Sequence, residues 1–286
     1  MVNIENLLNI DNLLNFTNDI FQKKEVKDLL QEVSDVAQYL WDRGWAERSA
    51  GNFSIRVTEY FSEKELDRLS TYPFFPLPKS YPDLSRQLFL VSATGTRMRD
   101  TARKPASNVC FIFVNESGTA YHIICQPGEE TSLKPTSELA THLSIQQMMI
   151  RKADSEKVVL HTHVLELIAL TQLPRFKTEE SVNQLLQGMH PETSTFVPEG
   201  IGFIPYTMPG TEKIAQATLK GLENHRVIIW EMHGCMAVSK TLNEAFDLID
   251  ILAKSAKIYF LCKSAGMEPE GLSKEQLREL SESYPT

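Results

Sequence analysis

Val158-Val159-Leu160-His161-Thr162-His163 is the stretch whose reading decides the fold. Three apolar residues, two of them β-branched, lead into two histidines spaced i, i+2. Side chains at that spacing point the same way from a strand, whereas on a helix they diverge by more than half a turn. His161 and His163 are therefore expected to face one point from the end of a buried strand. Neutral imidazole is the commonest metal ligand, and catalytic zinc usually takes three protein ligands and leaves one position open. Arg226-Val227-Ile228-Ile229-Trp230-Glu231-Met232-His233-Gly234 repeats the design: a β-rich run, a histidine, then a glycine that lets the chain turn sharply. His161, His163 and His233 are thus the candidate metal ligands. A lone histidine at a strand end is more often a hydrogen-bonded structural residue, and it is the doubled strand-end pattern that favours a metal. Cys235 is an alternative thiolate ligand ranked below the histidines, because a single cysteine beside a turn usually serves packing.

The chain has 286 residues, 42% hydrophobic and 23% charged, enough for a sizeable buried core. Its net charge of −8, without a long Lys/Arg block, argues against a nucleic-acid footprint or an anionic membrane surface. A small phosphorylated substrate stays compatible, since a few local donors hold one. Cys110, Cys125, Cys235 and Cys262 are scattered with no CxxC spacing, which fits a reducing compartment. Residues 1–18 contain Asp and Glu but no Lys or Arg, unlike a signal peptide, and no stretch approaches the roughly 20 apolar residues of a membrane span. Cytoplasm is the expected location.

Residues 5–22 carry Leu7, Leu8, Leu13, Leu14 and Phe16 among polar residues and read as one or two short amphipathic helices. From Glu25 the helical spacing sharpens through Val26, Leu29, Leu30, Val33, Val36 and Leu40, and Gly44 is the expected stop. A half-buried strand follows over 52–57. The Pro-rich residues 58–86 read as a long surface excursion, partly helical around 63–70. Strands are expected over 87–91, 108–114 and 119–125, the last two joined by a hairpin turn at Asn115-Glu116-Ser117-Gly118. Further helices are expected from a cap at Thr136 or Ser137 through about Arg151, from Leu165, over 179–189, after Pro209-Gly210-Thr211, from the capping box Thr241-x-x-Glu244, and from Ser273. The fold class is α/β (α+β type), with a central, mainly antiparallel sheet flanked by helices. One domain is expected over 25–286, preceded by a small N-terminal helical extension over 1–24.

Lys134-Pro135-Thr136-Ser137-Glu138 enters a helix and places Glu138 in its first turn, where the helix dipole favours the ionised carboxylate. If that end faces the metal, Glu138 is a general base or a displaceable ligand; otherwise it is ordinary helix-start chemistry. Two small-residue turns, Ser49-Ala50-Gly51-Asn52 and Thr94-Gly95-Thr96, offer backbone N–H groups and hydroxyls of the kind that cradle a phosphate, though simple turns look the same.

Together, Ala50-Gly51-Asn52-Phe53-Ser54, Thr94-Gly95, Pro135-Thr136-Ser137-Glu138, His161-x-His163 and His233-Gly234 resemble the class II aldolase/epimerase (AraD-like) family. The likeness runs from about residue 25 to the end, and it includes Trp41-Asp42-Arg43-Gly44-Trp45-x-Glu47-Arg48, Leu167-Ile168-Ala169-Leu170-Thr171, Pro198-Glu199-Gly200-Ile201-Gly202, Met208-Pro209-Gly210-Thr211 and Phe246-Asp247-Leu248-Ile249-Asp250. What the resemblance implies is zinc-dependent cleavage of L-rhamnulose 1-phosphate to dihydroxyacetone phosphate and L-lactaldehyde, through a metal-stabilised enediolate. It implies that His161, His163 and His233 hold Zn²⁺ and that Glu138 is the acid/base at the dihydroxyacetone phosphate carbon. Gly51, Asn52, Thr94, Gly95 and Ser137 would contact the phosphate or the enediolate. Glu192 would be a second catalytic carboxylate reaching a neighbouring subunit's site, in a four-fold symmetric homotetramer. Ser49, Ala50 and Thr96 depart from the Asn, Gly and Gly of the aldolase pattern, although the Ser49 and Thr96 hydroxyls can still donate.

The chemistry agrees with that implication. Breaking a carbon–carbon bond beside a ketone needs an electron sink, and without an activated lysine a Lewis-acid metal supplies one. No dinucleotide glycine fingerprint and no HExxH helix is present. The competing readings are a fuculose-phosphate aldolase, a ribulose-phosphate 4-epimerase or a methylthioribulose-phosphate dehydratase of the same family, a non-catalytic module like the adducin head, and a metal hydrolase.

Overall fold

The computed structural model describes residues 4–126, 133–153 and 155–283, with side chains described from residue 13 onward. The fold is α/β, with a central, mainly antiparallel sheet flanked by helices. The chain forms two compact units, 1–157 and 158–286.

In the N-terminal unit, helices α1 (Ile4–Gln22) and α2 (Lys24–Asp42) come first. The expected one or two short helices over 5–22 are the single helix α1; the side chains of Leu7 and Leu8 lie outside the described residues. Helix α2 buries the stripe Val26, Leu29, Leu30, Val33, Val36, Ala37 and Leu40, and Gly44 ends it with φ +72°. Next come β1 (Asn52–Arg56), α3 (Glu63–Leu69), β2 (Phe74–Pro76), β3 (Leu88–Ser92), α4 (Met98–Arg103), β4 (Val109–Val114), β5 (Ala120–Ile124) and α5 (Leu139–Arg151). The strands lie in the order β2-β5-β4-β3-β1, all antiparallel neighbours. The 115–118 turn joins β4 to β5, with Gly118 at φ +68°. The surface excursion expected over 58–86 is only partly on the surface. Tyr81 and Leu84 are fully buried beside Phe89, Val91, Cys110, Ile112 and Leu143, because Leu77 N and Tyr81 N donate to the main-chain oxygens of Thr119 and Gly118 and tie the segment to the sheet.

In the C-terminal unit, β6 (Val158–Thr162) leads to α6 (Leu165–Gln172), α7 (Glu179–Met189), α8 (Pro191–Phe196), β7 (Gly202–Ile204), α9 (Glu212–Gly221), β8 (Val227–Trp230), β9 (Gly234–Ser239), α10 (Leu242–Ser264) and α11 (Lys274–Ser283). Strand order is β6-β9-β8-β7, antiparallel except for the parallel pair β7–β8. Helix α10 lays its buried face, including Leu242, Phe246, Ile249, Leu252, Ala256 and Tyr259, against β6, β9, α6 and α7. Among the described residues no helix is long and apolar enough to cross a membrane.

Candidate active site

The strand over Val158–Thr162 is buried along its whole length, so its β-branched residues pack on both faces and its C-terminal end is held rigidly. His161 ends up 1% exposed, and His163 lies one residue beyond the strand. His233 sits not at a strand end but in the tight turn between β8 and β9. The three imidazoles converge: ring centroids lie 5.2 Å apart for His161 and His163, 5.1 Å for His161 and His233, and 4.9 Å for His163 and His233. One ring nitrogen from each falls within 4.8 Å of the others, and this is the trio that could hold a metal ion.

Tautomer chemistry supports that reading. His161 Nδ1 lies 2.8 Å from the Cys235 carbonyl oxygen, which can only accept, so Nδ1 carries the proton and Nε2 the lone pair. Metal-ligating histidines are oriented by this kind of bond. The Cys235 contribution is therefore its main chain. Its thiol is buried, and burial pushes it far above its ordinary pKa, away from the thiolate state. Trp230 packs on His161 and His233, with centroids at 4.6 and 5.1 Å, and supplies an apolar wall.

Two local devices bring His233 into place. Gly234 runs against β6, where an added Cβ would lie 2.4 Å from the Thr162 carbonyl oxygen. The glycine thus permits close approach of backbones; the sharp turn itself falls on Met232, which adopts φ +57°. That costly conformation is held from both sides. The buried Thr171 hydroxyl accepts from Met232 N at 2.9 Å, while Glu231 takes Lys177 Nζ at 2.6 Å and Tyr206 N at 2.7 Å. The Lys177 hydrogen bond holds the Glu231 carboxyl below the usual range, against the opposing effect of its burial. Spacing gave no sign of Lys177 or Thr171, because each acts through a partner roughly sixty residues away.

In the N-terminal unit the structure brings together the other expected segments. The β1–β3 register pairs Ser54 with Val91, so continuing it sets Asn52 beside Ala93, and Ala93 bridges to Pro135. Thr94 N donates to Lys134 O at 2.8 Å and Thr136 N to Ser92 O at 2.9 Å. Gly51, Asn52, Thr94, Gly95, Ser137 and Glu138 therefore belong to one cluster of adjoining turns. Glu138 lies one residue before α5, not in its first turn, because the Thr136 hydroxyl takes the Glu138 N–H and the helix begins at Leu139. Its carboxylate caps nothing, and its Oε2 is buried with no hydrogen-bond partner among the described residues. The Thr96 hydroxyl donates to Ala93 O at 2.7 Å, so it is committed within its own turn. Glu192 is exposed on α8 and takes a 2.5 Å hydrogen bond from His190, which holds it below the usual carboxylate range.

Residues 31–260 match the class II aldolase and adducin N-terminal domain family. The chain belongs to this family. Over 256 residues this family member is 39% identical to a protein named rhamnulose-1-phosphate aldolase from Bacteroides thetaiotaomicron, covering 89% of this chain and 93% of that one. A protein of the same name from Escherichia fergusonii is 31% identical over 268 residues, 93% of this chain and 95% of its own. Among solved structures, a sugar-phosphate aldolase from Thermotoga maritima superposes with a TM-score of 0.73 at 30% identity, covering 86% of this chain and all of that one. An L-fuculose 1-phosphate aldolase, at TM-score 0.57 and 18% identity, shares the fold. With such relatives along nearly its whole length, this family member is an enzyme of the aldehyde-lyase class.

Proposed function

We propose that this aldolase-family chain is zinc-dependent and cleaves L-rhamnulose 1-phosphate into dihydroxyacetone phosphate and L-lactaldehyde. The observation that carries the reading is the convergence of His161, His163 and His233, with the His161 tautomer set so that Nε2 can ligate. Three histidine nitrogen donors are the kind of set that would hold a catalytic zinc. Held there, the cation would supply a Lewis acid for the substrate oxygens and so an outlet for the electron pair of the broken bond. The named relatives support the choice of sugar phosphate.

The remaining chemistry falls to side chains. In the cleavage direction the hydroxyl proton on C4 leaves, the C3–C4 bond breaks, and its electron pair stays with the three-carbon ketone half. Glu138 in its protonated form delivers a proton to that carbon, and in the reverse direction it removes one. Its unpartnered, buried Oε2 fits a group reserved for the substrate. Glu192, kept ionised by His190, receives the hydroxyl proton of the aldehyde half, and both carboxyls re-equilibrate with solvent between turnovers. Gly51, Asn52, Thr94, Gly95 and Ser137 hold the phosphate and the oxygens beside it. The chain acts in the cytoplasm as a homotetramer in which Glu192 serves a neighbouring subunit, with residues 25–286 as the catalytic domain and 1–24 as a helical extension.

The test is product analysis on the purified chain. L-Rhamnulose 1-phosphate should yield both products, chelation should abolish the reaction, and added zinc should restore it. Cleavage of L-fuculose 1-phosphate alone, or full activity in a chain shown to be metal-free, refutes the proposal. Sedimentation should give about four times the chain mass of 32.5 kDa.

A further inference from the structure

Asn52 opens β1 half-buried, and its side-chain oxygen lies 2.5 Å from His142 Nε2. His142 Nδ1 in turn lies 3.0 Å from Ser54 Oγ, and Ser54 Oγ accepts from Gln146 Nε2 at 3.1 Å. Gln146 Nε2 also donates to the main-chain oxygens of Lys157, at 3.0 Å, and of Ser54, at 3.4 Å. His142, Ser54 and Gln146 are fully buried. The pattern is periodic on both elements. Asn52 and Ser54 share one face of β1 at i, i+2, and His142 and Gln146 share one face of α5 at i, i+4.

The direction of every bond in this chain follows from its inner end. Main-chain carbonyl oxygens only accept, so the Gln146 atom facing them is the nitrogen. Its N–H occupies one side of Ser54 Oγ. The Ser54 proton then has one described acceptor within reach, His142 Nδ1. Were the direction reversed, the hydroxyl would accept twice and bury its proton without a partner, at the full desolvation cost. With Nδ1 accepting, the proton of the neutral imidazole sits on Nε2 and is donated to Asn52 Oδ1. The Asn52 amide is thereby held with Oδ1 inward and both N–H bonds of Nδ2 available on the other side.

An asparagine amide turned by 180° has the same shape and the opposite polarity. Nothing in the covalent structure of Asn52 prefers one orientation, and next to an anionic oxygen the wrong one replaces a donor by a repelling acceptor. We propose that His142 is a positioning residue that fixes the Asn52 amide as a donor toward an anionic oxygen of the substrate, with its own tautomer set by Ser54 and Gln146. This rests on the proposed sugar-phosphate substrate for the direction in which Nδ2 acts. The relay itself rests on the hydrogen bonds alone.

The experiment uses the full-length, metal-loaded chain and two readouts. Long-range proton–nitrogen NMR at pH 7 to 8 on the substrate-free protein should show His142 protonated on Nε2 and not on Nδ1; a proton on Nδ1, or on both, overturns the relay. Kinetically, His142→Leu should raise KM about tenfold to a hundredfold, the loss expected for one hydrogen bond to a charged group, with zinc content unchanged. In the Asn52→Ala background the same substitution should change KM by less than about twofold, because the amide it orients is gone. Equal effects in both backgrounds would mean that His142 does not act through Asn52, and would overturn the proposal. Should His142→Leu fail to fold, Ser54→Ala carries the same two-background comparison with a smaller shift, about threefold to tenfold. A wild-type chain that binds no dihydroxyacetone phosphate refutes the proposed function, whereas the tautomer decides the relay whether or not that substrate is right.

Discussion

Both units build their clusters from residues far apart in the chain, but the C-terminal one relies on strand pairing and the N-terminal one on a relay of side-chain hydrogen bonds. His161 and His163 come from one strand end and His233 from the turn beside the strand that pairs with it. Asn52, by contrast, is oriented by hydrogen bonding to a histidine, ninety residues later in the chain. The imidazole trio needs position: converging rings are what a metal site of this kind would require. The amide cluster needs polarity, since Asn52 can occupy its place and still present the wrong atom. Position can be encoded by a strand period, whereas polarity has to be imposed by a chain of buried hydrogen bonds.

The largest effect should follow from removing a ligand. His161→Ala should lose bound metal and activity together, with kcat/KM falling by at least about a thousandfold and metal analysis showing sub-stoichiometric zinc. Retention of one zinc per chain would break the contrast, because the trio would then not be the metal site.

Next comes the carboxylate. Glu138→Gln keeps the shape of the side chain and removes its acid/base capacity. Metal content should stay at the wild-type level while kcat falls about a hundredfold to ten-thousandfold, measured by turnover and by proton exchange on dihydroxyacetone phosphate. Unchanged exchange would take Glu138 out of the mechanism.

A smaller effect tests how the His233 turn is held. Lys177→Met removes the ion pair to Glu231 without touching a ligand, and metal affinity should weaken about tenfold to a hundredfold by competition with a chelator, the range typical of outer-shell partners. An unaltered affinity would show that the Met232 turn stands without its clamp, and would sharpen the view that strand geometry alone places the trio.

The smallest effect is expected away from both clusters. Burial pushes the Glu65 carboxyl up, but the hydrogen bonds from Lys23, at 2.6 Å, and from Ser62 outweigh it, so the group sits below its ordinary range. A lowered folded-state pKa gives stabilisation that is present above the unfolded value and is lost as the pH falls through the folded one. Glu65→Gln should therefore cost about 0.5–1 kcal/mol at pH 7 by denaturant unfolding, and nothing once both forms are protonated in acid. A difference that grows on acidification would contradict that sign.

Much of the fold could be read from local pattern. The period-2 histidines, the Asn115–Gly118 hairpin and the apolar face of α10 follow from spacing, because each is settled within a few residues. Elements decided by distant partners could not be read this way. The prolines near Tyr81 look like surface loop until the sheet is there to bury that ring. Glu138 looks like first-turn helix chemistry until the Thr136 hydroxyl sets the helix start one residue later. The short strand β2 and the six-residue helices α4 and α8 carry too few residues to show a period.

By itself the sequence determined the candidate ligand types, the spacing of two of them on one strand face and the family they resemble, since a strand's alternation aligns residues two apart. Only the tertiary structure decided that Gly234 serves close approach while Met232 takes the strained turn, that the Cys235 carbonyl sets the tautomer of His161, and that Asn52 presents its nitrogen. Each of those outcomes depends on which acceptor a buried donor finds across the fold, and a linear pattern holds no record of that pairing.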